Sequence, residues 1–254
     1  MAGTHPRRLR LDQALVERGL CPTRSQAQRE LMAGQVRVNG HPITKPGHWV
    51  RPNDQIEVQV PDRFVSRGGH KLDAALNTFG CVVQGVHAID LGASTGGFTD
   101  CLLQAGAARV HAVDVGSGQL DWRLRQDRRV VVMEKTNARH LTPESFGPDH
   151  RAFDLAVIDC SFISLRKILP TAVALLQPAG KIVALIKPQF EAGKAEADRG
   201  RGVITDPEVQ ERVLDELRQF VEEQPHMAWR QVIPSPLLGP AGNKEFLVLI
   251  EKTG

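Results

Sequence analysis

The 254-residue chain lacks any stretch suited to crossing a bilayer: its longest apolar runs, such as residues 182–186, fall far short of the ~20 residues a helical span needs. No apolar segment follows Arg7, Arg8 and Arg10 in the manner of an export signal, so the chain is expected in the cytoplasm and away from membranes. Cysteine is scarce as well. Cys21, Cys81, Cys101 and Cys160 form no close pair with metal-ligand or redox spacing, which leaves them reduced and structural, and no metal site is expected.

Apolar residues make up 41% of the chain, ordinary for a globular protein, and the length permits at most two domains. The net charge of +3 conceals a division. Residues 1–71 hold 12 Lys and Arg against 6 Asp and Glu, a net of +6, whereas residues 72–254 hold 20 against 23, a net of −3. A basic leading part without a large apolar face suits a polyanion, nucleic acid in preference to membrane.

Residues 8–62 pattern as a small α+β module. Leu11, Ala14 and Leu15 recur at helical spacing up to Gly19, and Thr23 with Gln26 forms a capping box before a second helix that carries Ala27, Leu31 and Met32 and ends at Gly34. Val36-Arg37-Val38-Asn39-Gly40 then alternates into an Asn-Gly turn, and Ile56, Val58 and Val60 alternate again, as in small antiparallel strands. The stretch from Leu11 through Arg24, Ser25, Leu31, Gly34, Val36, Val38, Asn39 and Gly40 to Asp54, Ile56 and Val58 resembles the S-four-type RNA-binding domain. That resemblance implies that Arg10, Arg24, Arg29 and Arg37 face RNA, where guanidinium groups fork onto phosphates.

Residues 63–70, with Arg67 as a further RNA contact and Gly68-Gly69 allowing unusual backbone angles, read as a linker, and residues 71–254 as a second domain opening on a helix of Leu72, Ala75 and Leu76. Strands are expected over 86–91, 110–115, 130–132, 155–158 and 182–186, with helices over 165–176, ending near Gly180, and over 207–223. Apolar strands alternating with helices predict a Rossmann-like α/β domain, its parallel sheet covered on both faces. The segments 230–233 and 246–250 lie too close together for a helical crossover and are expected as a terminal antiparallel hairpin. That hairpin marks the class I methyltransferase variation on the doubly wound sheet.

The strand Val86-His87-Ala88-Ile89-Asp90-Leu91 runs into the loop Gly92-Ala93-Ser94-Thr95-Gly96-Gly97-Phe98, and a second strand ends in Asp114, placed to reach ribose hydroxyls. A dinucleotide fingerprint needs Gly where this loop has Ser94. S-adenosylmethionine has no phosphates to cradle. It needs backbone and hydroxyl contacts, an acid and an apolar adenine slot, which Gly92 to Phe98, Asp114 and the neighbourhood of Asn137 supply, with Asp159 at the next strand end. After Asp159 there is no Pro-Pro of the kind found in enzymes that methylate exocyclic base nitrogens, and Cys160 follows an acid where a carbon-methylating nucleophile follows proline; Cys160 is expected as a small buried residue.

Taken together, Val65-Ser66-Arg67-Gly68-Gly69-His70-Lys71-Leu72, the 90–100 loop, Ala112-Val113-Asp114-Val115-Gly116, Gln119-Leu120, Asp159-Cys160-Ser161-Phe162-Ile163-Ser164-Leu165, Ile186-Lys187-Pro188-Gln189-Phe190-Glu191 and Gly242-Asn243-Lys244-Glu245-Phe246 resemble the TlyA (hemolysin A) family of ribosomal RNA methyltransferases, whose catalytic domain is similar to FtsJ-type ribose 2′-O-methyltransferases. The resemblance implies methyl transfer from S-adenosylmethionine to a ribose 2′-hydroxyl, of cytidine, in rRNA or assembled ribosomal subunits. It carries a catalytic tetrad onto Lys71, Asp159, Lys187 and Glu245. Lys187 is the candidate to activate the hydroxyl, with Lys71 and Glu245 orienting the ribose and balancing charge. A polar loop over 191–202, with Gly193, Gly200 and Gly202, reads equally as a lid or as a surface insertion. A non-catalytic RNA-binding or assembly factor remains the alternative. A membrane-active hemolysin finds no apolar segment to support it.

Overall fold

The computed structural model describes residues 8–59, 62–148, 150–193, 196 and 200–254. The chain divides into two compact units, Met1–Arg63 and Phe64–Gly254.

In the first unit, β1 (Leu9–Arg10) leads into α1 (Leu11–Glu17), and α2 (Arg24–Met32) is capped by Thr23, whose Oγ1 accepts the Gln26 N–H at 3.2 Å. β2 (Val36–Val38) pairs antiparallel with β3 (His41–Pro42) and β5 (Ile56–Val58), and β1 pairs with β4 (Trp49–Val50). Asn39 and Gly40 turn the hairpin with φ of 50° and 81°, the left-handed pair that an Asn-Gly turn supplies. Leu11, Leu15, Ala27, Leu31, Val36 and Val38 make the core. Val60, expected to continue the last strand, lies outside the described residues.

Asp12 is fully buried between α1 and α2. It accepts from Arg10 Nε and Nη2 at 3.1 Å each, from Arg24 Nε at 2.9 Å and from Gln28 Nε2 at 3.0 Å. Burial alone would raise its pKa; the donors prevail and hold it well below the ordinary carboxylate range. Arg10 and Arg24 therefore also fasten the two helices, a duty the sequence reading did not give them, while Arg29 stands exposed and Arg37 Nη1 donates to the Gly40 carbonyl at 2.9 Å.

The second unit begins with Phe64, which is buried, and α3 (Gly68–Thr78), so the stretch read as a linker already belongs to its core. Neither Gly68 nor Gly69 has a positive φ. Their smallness serves packing instead: a Cβ on Gly69 would sit 2.2 Å from Phe64 Cγ, and one on Gly97 only 2.9 Å from the Gly69 nitrogen. There follow β6 (His87–Leu91), α4 (Gly97–Gln104), β7 (Arg109–Val113), α5 (Trp122–Gln126), β8 (Val130–Met133), β9 (Phe153–Ile158), α6 (Leu169–Leu175), β10 (Leu176–Ile186), α7 (Pro188–Glu191), α8 (Pro207–Glu223), β11 (Met227–Pro234) and β12 (Phe246–Lys252). They build one seven-stranded sheet in the order β11-β12-β10-β9-β6-β7-β8. The β10-to-β8 part is parallel, and β12 is antiparallel to both β10 and β11.

Alternation along the strands divides the core between two faces. Ile89 and Leu91 pack with Leu169 and Val173 of α6 and Val213 and Leu217 of α8, whereas Ala88 packs with Leu72 of α3 and Leu102 of α4. The helix expected over 165–176 is broken. A 3-10 turn at Leu165–Lys167 precedes α6, whose first turn holds Pro170, and the chain becomes strand at Leu176 without reaching Gly180 as a helix. Pro170 has no N–H to give a preceding turn, so it restarts the helix.

At the opening ends of β6 and β7, His87, His111 and His150 pack with Phe146 and Phe153, ring centroids 4.6–6.3 Å apart. Burial, then the His87, Arg109 and His150 charges, push His111 down to about 4, and burial lowers His87 and His150 as well. The unfolded chain takes up these protons first, at its ordinary histidine pKa, so stability is complete above about pH 6.5 and declines as pH falls toward 4, by about 3 kcal/mol for His111 alone. Thermal unfolding followed from pH 7.5 to 5 is expected to show a falling midpoint that is visibly flattened in His111→Phe.

Candidate active site

The site lies where the order of the strands reverses. From β6 the chain builds outward through β7 and β8, then returns to place β9 on the other side of β6, so the carboxyl ends of β6 and β9 open a crevice between diverging loops. Gly92 leaves β6 and Asp159 leaves β9. The two are so close that a Cβ on Gly92 would lie 2.8 Å from the Asp159 carbonyl oxygen.

The loop after β6 is left-handed at Gly92 (φ 92°), Ser94 (φ 48°) and Gly96 (φ 98°), and ends by starting α4. Asp114 leaves β7 beside it, accepting the Ser94 N–H at 2.8 Å with Oδ2 and the Gly116 N–H at 2.7 Å with Oδ1. Below the loop, Asp90 is wholly buried; Thr99 Oγ1 donates to its Oδ2 at 2.7 Å, and Oδ1 has no hydrogen-bond partner among the described residues. Burial pushes Asp90 up to about 7 against the Thr99 hydrogen bond, with Asp159 and Asp114 adding to the rise.

Two clefts meet here. One, of ≈ 420 Å³, is lined by Gly92, Ser94, Asp114, Gln119, Asn137 and the apolar Val113, Ile163 and Ile168; Asn137 itself caps a short turn by accepting the Arg139 N–H at 3.1 Å. The other, of ≈ 360 Å³, is lined by Ala93, Thr95, Gly97, Phe98 and all four expected tetrad residues, with Arg67 at its rim donating to the Leu238 carbonyl at 3.2 Å. Gly92, Ser94, Asp159 and Ser161 border both. Gly96 lines neither. It is buried beneath them, where a Cβ would strike Leu124 Cδ1 at 2.2 Å.

The tetrad forms two ion pairs. Lys71 on α3 sets Nζ 2.5 Å from Glu245 Oε2, both side chains buried, and Lys187 after β10 sets Nζ 2.6 Å from Asp159 Oδ1 while donating to Ser161 Oγ at 3.0 Å. Gly239 keeps the space beside Glu245, since a Cβ there would lie 2.6 Å from Oε1. Cys160, expected as buried, is half-buried on the wall of the larger cleft; desolvation, with Asp159 nearby, pushes its thiol up to about 12, and Sγ contacts the Leu91 carbonyl at 3.4 Å.

Three neighbours, Ser161, Phe162 and Asn243, stand in the sequence motifs without an assigned role. Ser161 completes the Lys187 contacts, and Phe162 projects 90% exposed with φ 62°, its ring 5.2 Å from that of Phe190. A left-handed aromatic is the kind of strained residue that marks functional loops, and no spacing in the sequence announces it. The lid reading of 191–202 falls partly on residues 194–195 and 197–199, outside the described residues. Beyond them Asn243 is buried, its Oδ1 accepting the Ile204 N–H and its Nδ2 donating to the Gly202 carbonyl, each at 2.8 Å.

S-adenosylmethionine fits this donor set: a left-handed glycine turn that side chains would fill, a carboxylate at the second strand end, and an apolar slot ending at Asn137. Replacing Gly92 by Ala adds a clash with the Asp159 backbone to an unfavourable φ. Calorimetric titration is expected to show S-adenosylmethionine binding weakened about 5- to 150-fold, for a strain of roughly 1–3 kcal/mol.

Comparison with known proteins agrees with this geometry. A family profile described as FtsJ-like methyltransferase matches residues 64–252, and one described as S4 domain matches residues 9–56. The 16S/23S rRNA (cytidine-2'-O)-methyltransferase TlyA of Mycobacterium tuberculosis (strain CDC 1551 / Oshkosh) is 46% identical over 246 residues, covering 95% of this chain and 89% of that protein. Hemolysin A of Brachyspira hyodysenteriae is 40% identical over 239 residues, covering 94% of this chain and 98% of that protein. A solved structure from Streptococcus thermophilus, 43% identical, has a TM-score of 0.73 and covers 98% of this chain and 89% of its own. The chain belongs to the FtsJ-like methyltransferase family and carries an S4 domain ahead of its methyltransferase unit.

Proposed function

We propose that the chain methylates a ribose 2′-hydroxyl of ribosomal RNA, at cytidine, with S-adenosylmethionine as methyl donor. The observation that carries this reading is the placement of Lys187, paired to Asp159 and bonded to Ser161, where the two clefts meet. A ribose hydroxyl is a poor acid, and bound S-adenosylmethionine supplies a methyl group already activated on its sulfonium, so the protein's part is alignment and removal of one proton.

In this reading Gly92, Ser94, Asp114 and Asn137 hold the donor in the larger cleft, Ala93, Thr95, Gly97 and Phe98 shape the smaller one that the ribose enters, and Gly96 supports the loop from beneath. Lys187 Nζ, acting as the neutral amine once its own proton has passed to solvent, orients the 2′-hydroxyl and receives its proton as the methyl group is transferred. Asp159, 2.6 Å away, stabilises the ammonium that results. Lys71 and Glu245 neutralise each other and form a fixed polar wall for the ribose. Phe162, exposed at the mouth, offers a face on which the target base stacks. The S4 domain supplies affinity for rRNA or assembled subunits through Arg29, Arg37 and the outer edges of Arg10 and Arg24, with Arg67 contacting RNA beside the cleft.

The TlyA protein from Mycobacterium tuberculosis supports this substrate by its name, whereas the name of the hemolysin A relative states no RNA substrate. Among the described residues no helix is long and apolar enough to cross a membrane, and nothing in the site favours a binding-only role.

Lys187→Ala is expected to lower kcat on ribosomal RNA about a thousandfold or more with S-adenosylmethionine affinity kept within a few-fold, measured by single-turnover transfer and calorimetry. Undiminished transfer would remove Lys187 from the chemistry. Lys71→Ala behaves differently: it leaves Glu245 charged and buried without its partner, so it is expected to lose about 3–5 kcal/mol of stability as well as activity.

A further inference from the structure

Two loops carry the reacting end of the site. One runs from Asp159 to Leu165 after β9, the other from Lys187 through α7 after β10, and β9 and β10 are parallel neighbours. Near the clefts they are joined by the Lys187 contacts to Asp159 and Ser161, and farther out by the Phe162–Phe190 ring contact. The far end is closed by Glu191, whose Oε2 accepts the Ser164 O–H at 2.6 Å and whose Oε1 accepts the Leu165 N–H at 2.7 Å.

Glu191 lines neither cleft, so substrate contact does not account for it. Its burial raises its pKa in spite of the Ser164 and Leu165 bonds and the nearby Arg166, so the carboxylate sits there at some cost in desolvation. What it restrains is the turn that contains Phe162, at φ 62° and 90% exposed. A non-glycine residue held left-handed persists only where its surroundings over-determine it, and Phe162 has solvent on most sides. Apart from the Phe190 ring on one side of Phe162, the restraint on this turn comes from its flanks: Asp159 and Ser161 on one side, Ser164 and Leu165 on the other.

We infer that Glu191 is a positioning residue for methyl transfer, clamping the Ser164-Leu165 turn to the end of α7 and so setting Asp159, Ser161 and Phe162 against Lys187. This rests on the methyl-transfer reading above. Without the clamp the loop after β9 relaxes, the Lys187–Asp159 geometry loosens, and a displacement near 1 Å costs about a hundredfold in rate.

The test is a double-mutant cycle with a conservative rescue, read as kcat at saturating rRNA and S-adenosylmethionine, together with hydrogen exchange of the Leu165 amide without substrate. Glu191→Ala is expected to lower kcat about a hundredfold and to speed Leu165 exchange. Glu191→Gln, whose amide oxygen still accepts from Leu165 and whose NH₂ donates to the Ser164 oxygen, is expected to stay within about threefold of wild type. Ser164→Ala is expected to cost about tenfold alone and almost nothing on top of Glu191→Ala. Wild-type kcat in Glu191→Ala, full additivity of the two changes, or a folded Glu191→Gln as slow as the Ala variant would each overturn the inference; if Glu191→Ala does not fold, the Gln and Ser164 variants decide it. Faster Leu165 exchange beside a wild-type chain that methylates no ribose would instead overturn the methyl-transfer reading, and the role of Glu191 with it.

Discussion

The reversal of strand order between β6 and β9 is the constraint on which the site depends. It forces the loop after β6 and the loop after β9 to part in opposite directions, yet the two begin in near contact, since only a hydrogen at Gly92 leaves room for the Asp159 backbone. The donor cleft and the substrate cleft therefore share a wall. Ser94 and Ser161 border both, and the acid that closes β9 stands at the junction. Methyl transfer in line needs this adjacency before it needs any particular side chain.

The two ion pairs serve that adjacency differently. Lys71 and Glu245 are both buried and satisfied by each other, which gives a wall of fixed charge at the cost of desolvating both groups. Lys187 donates to Ser161 while its charge is paired with Asp159, whose side chain keeps 23% of its surface exposed. That pair is the open one. Around it, Gly239 and the Asn243 bonds hold the Glu245 side of the cleft, and Glu191 holds the loop opposite.

Much of this was legible in the sequence because backbone requirements leave marks. Gly92 and Gly96 are needed at left-handed positions, Asp114 ends its strand, and the short interval between 234 and 246 admits a hairpin where a crossover helix would not fit. The apolar alternation located the seven strands, and the motif blocks brought Lys71, Asp159, Lys187 and Glu245 to one cleft although 174 positions separate the first from the last. What stayed hidden depends on contacts between distant segments. Gly68-Gly69 read as linker glycines with unusual backbone angles and proved to be a packing surface under Phe64, and Pro170 broke a helix that periodicity alone would have kept whole. The Asp12 network, the φ of Phe162 and the Glu191 clamp carry no local signature, because each exists only once two elements have met.

Whether these clefts bring a methyl group to a ribose oxygen is decided by digesting ribosomal RNA treated with the chain and S-adenosylmethionine to nucleosides and locating the new methyl group by mass spectrometry. 2′-O-methylcytidine is expected; a methyl group on the base, or none on any ribosomal substrate, would overturn the ribose assignment.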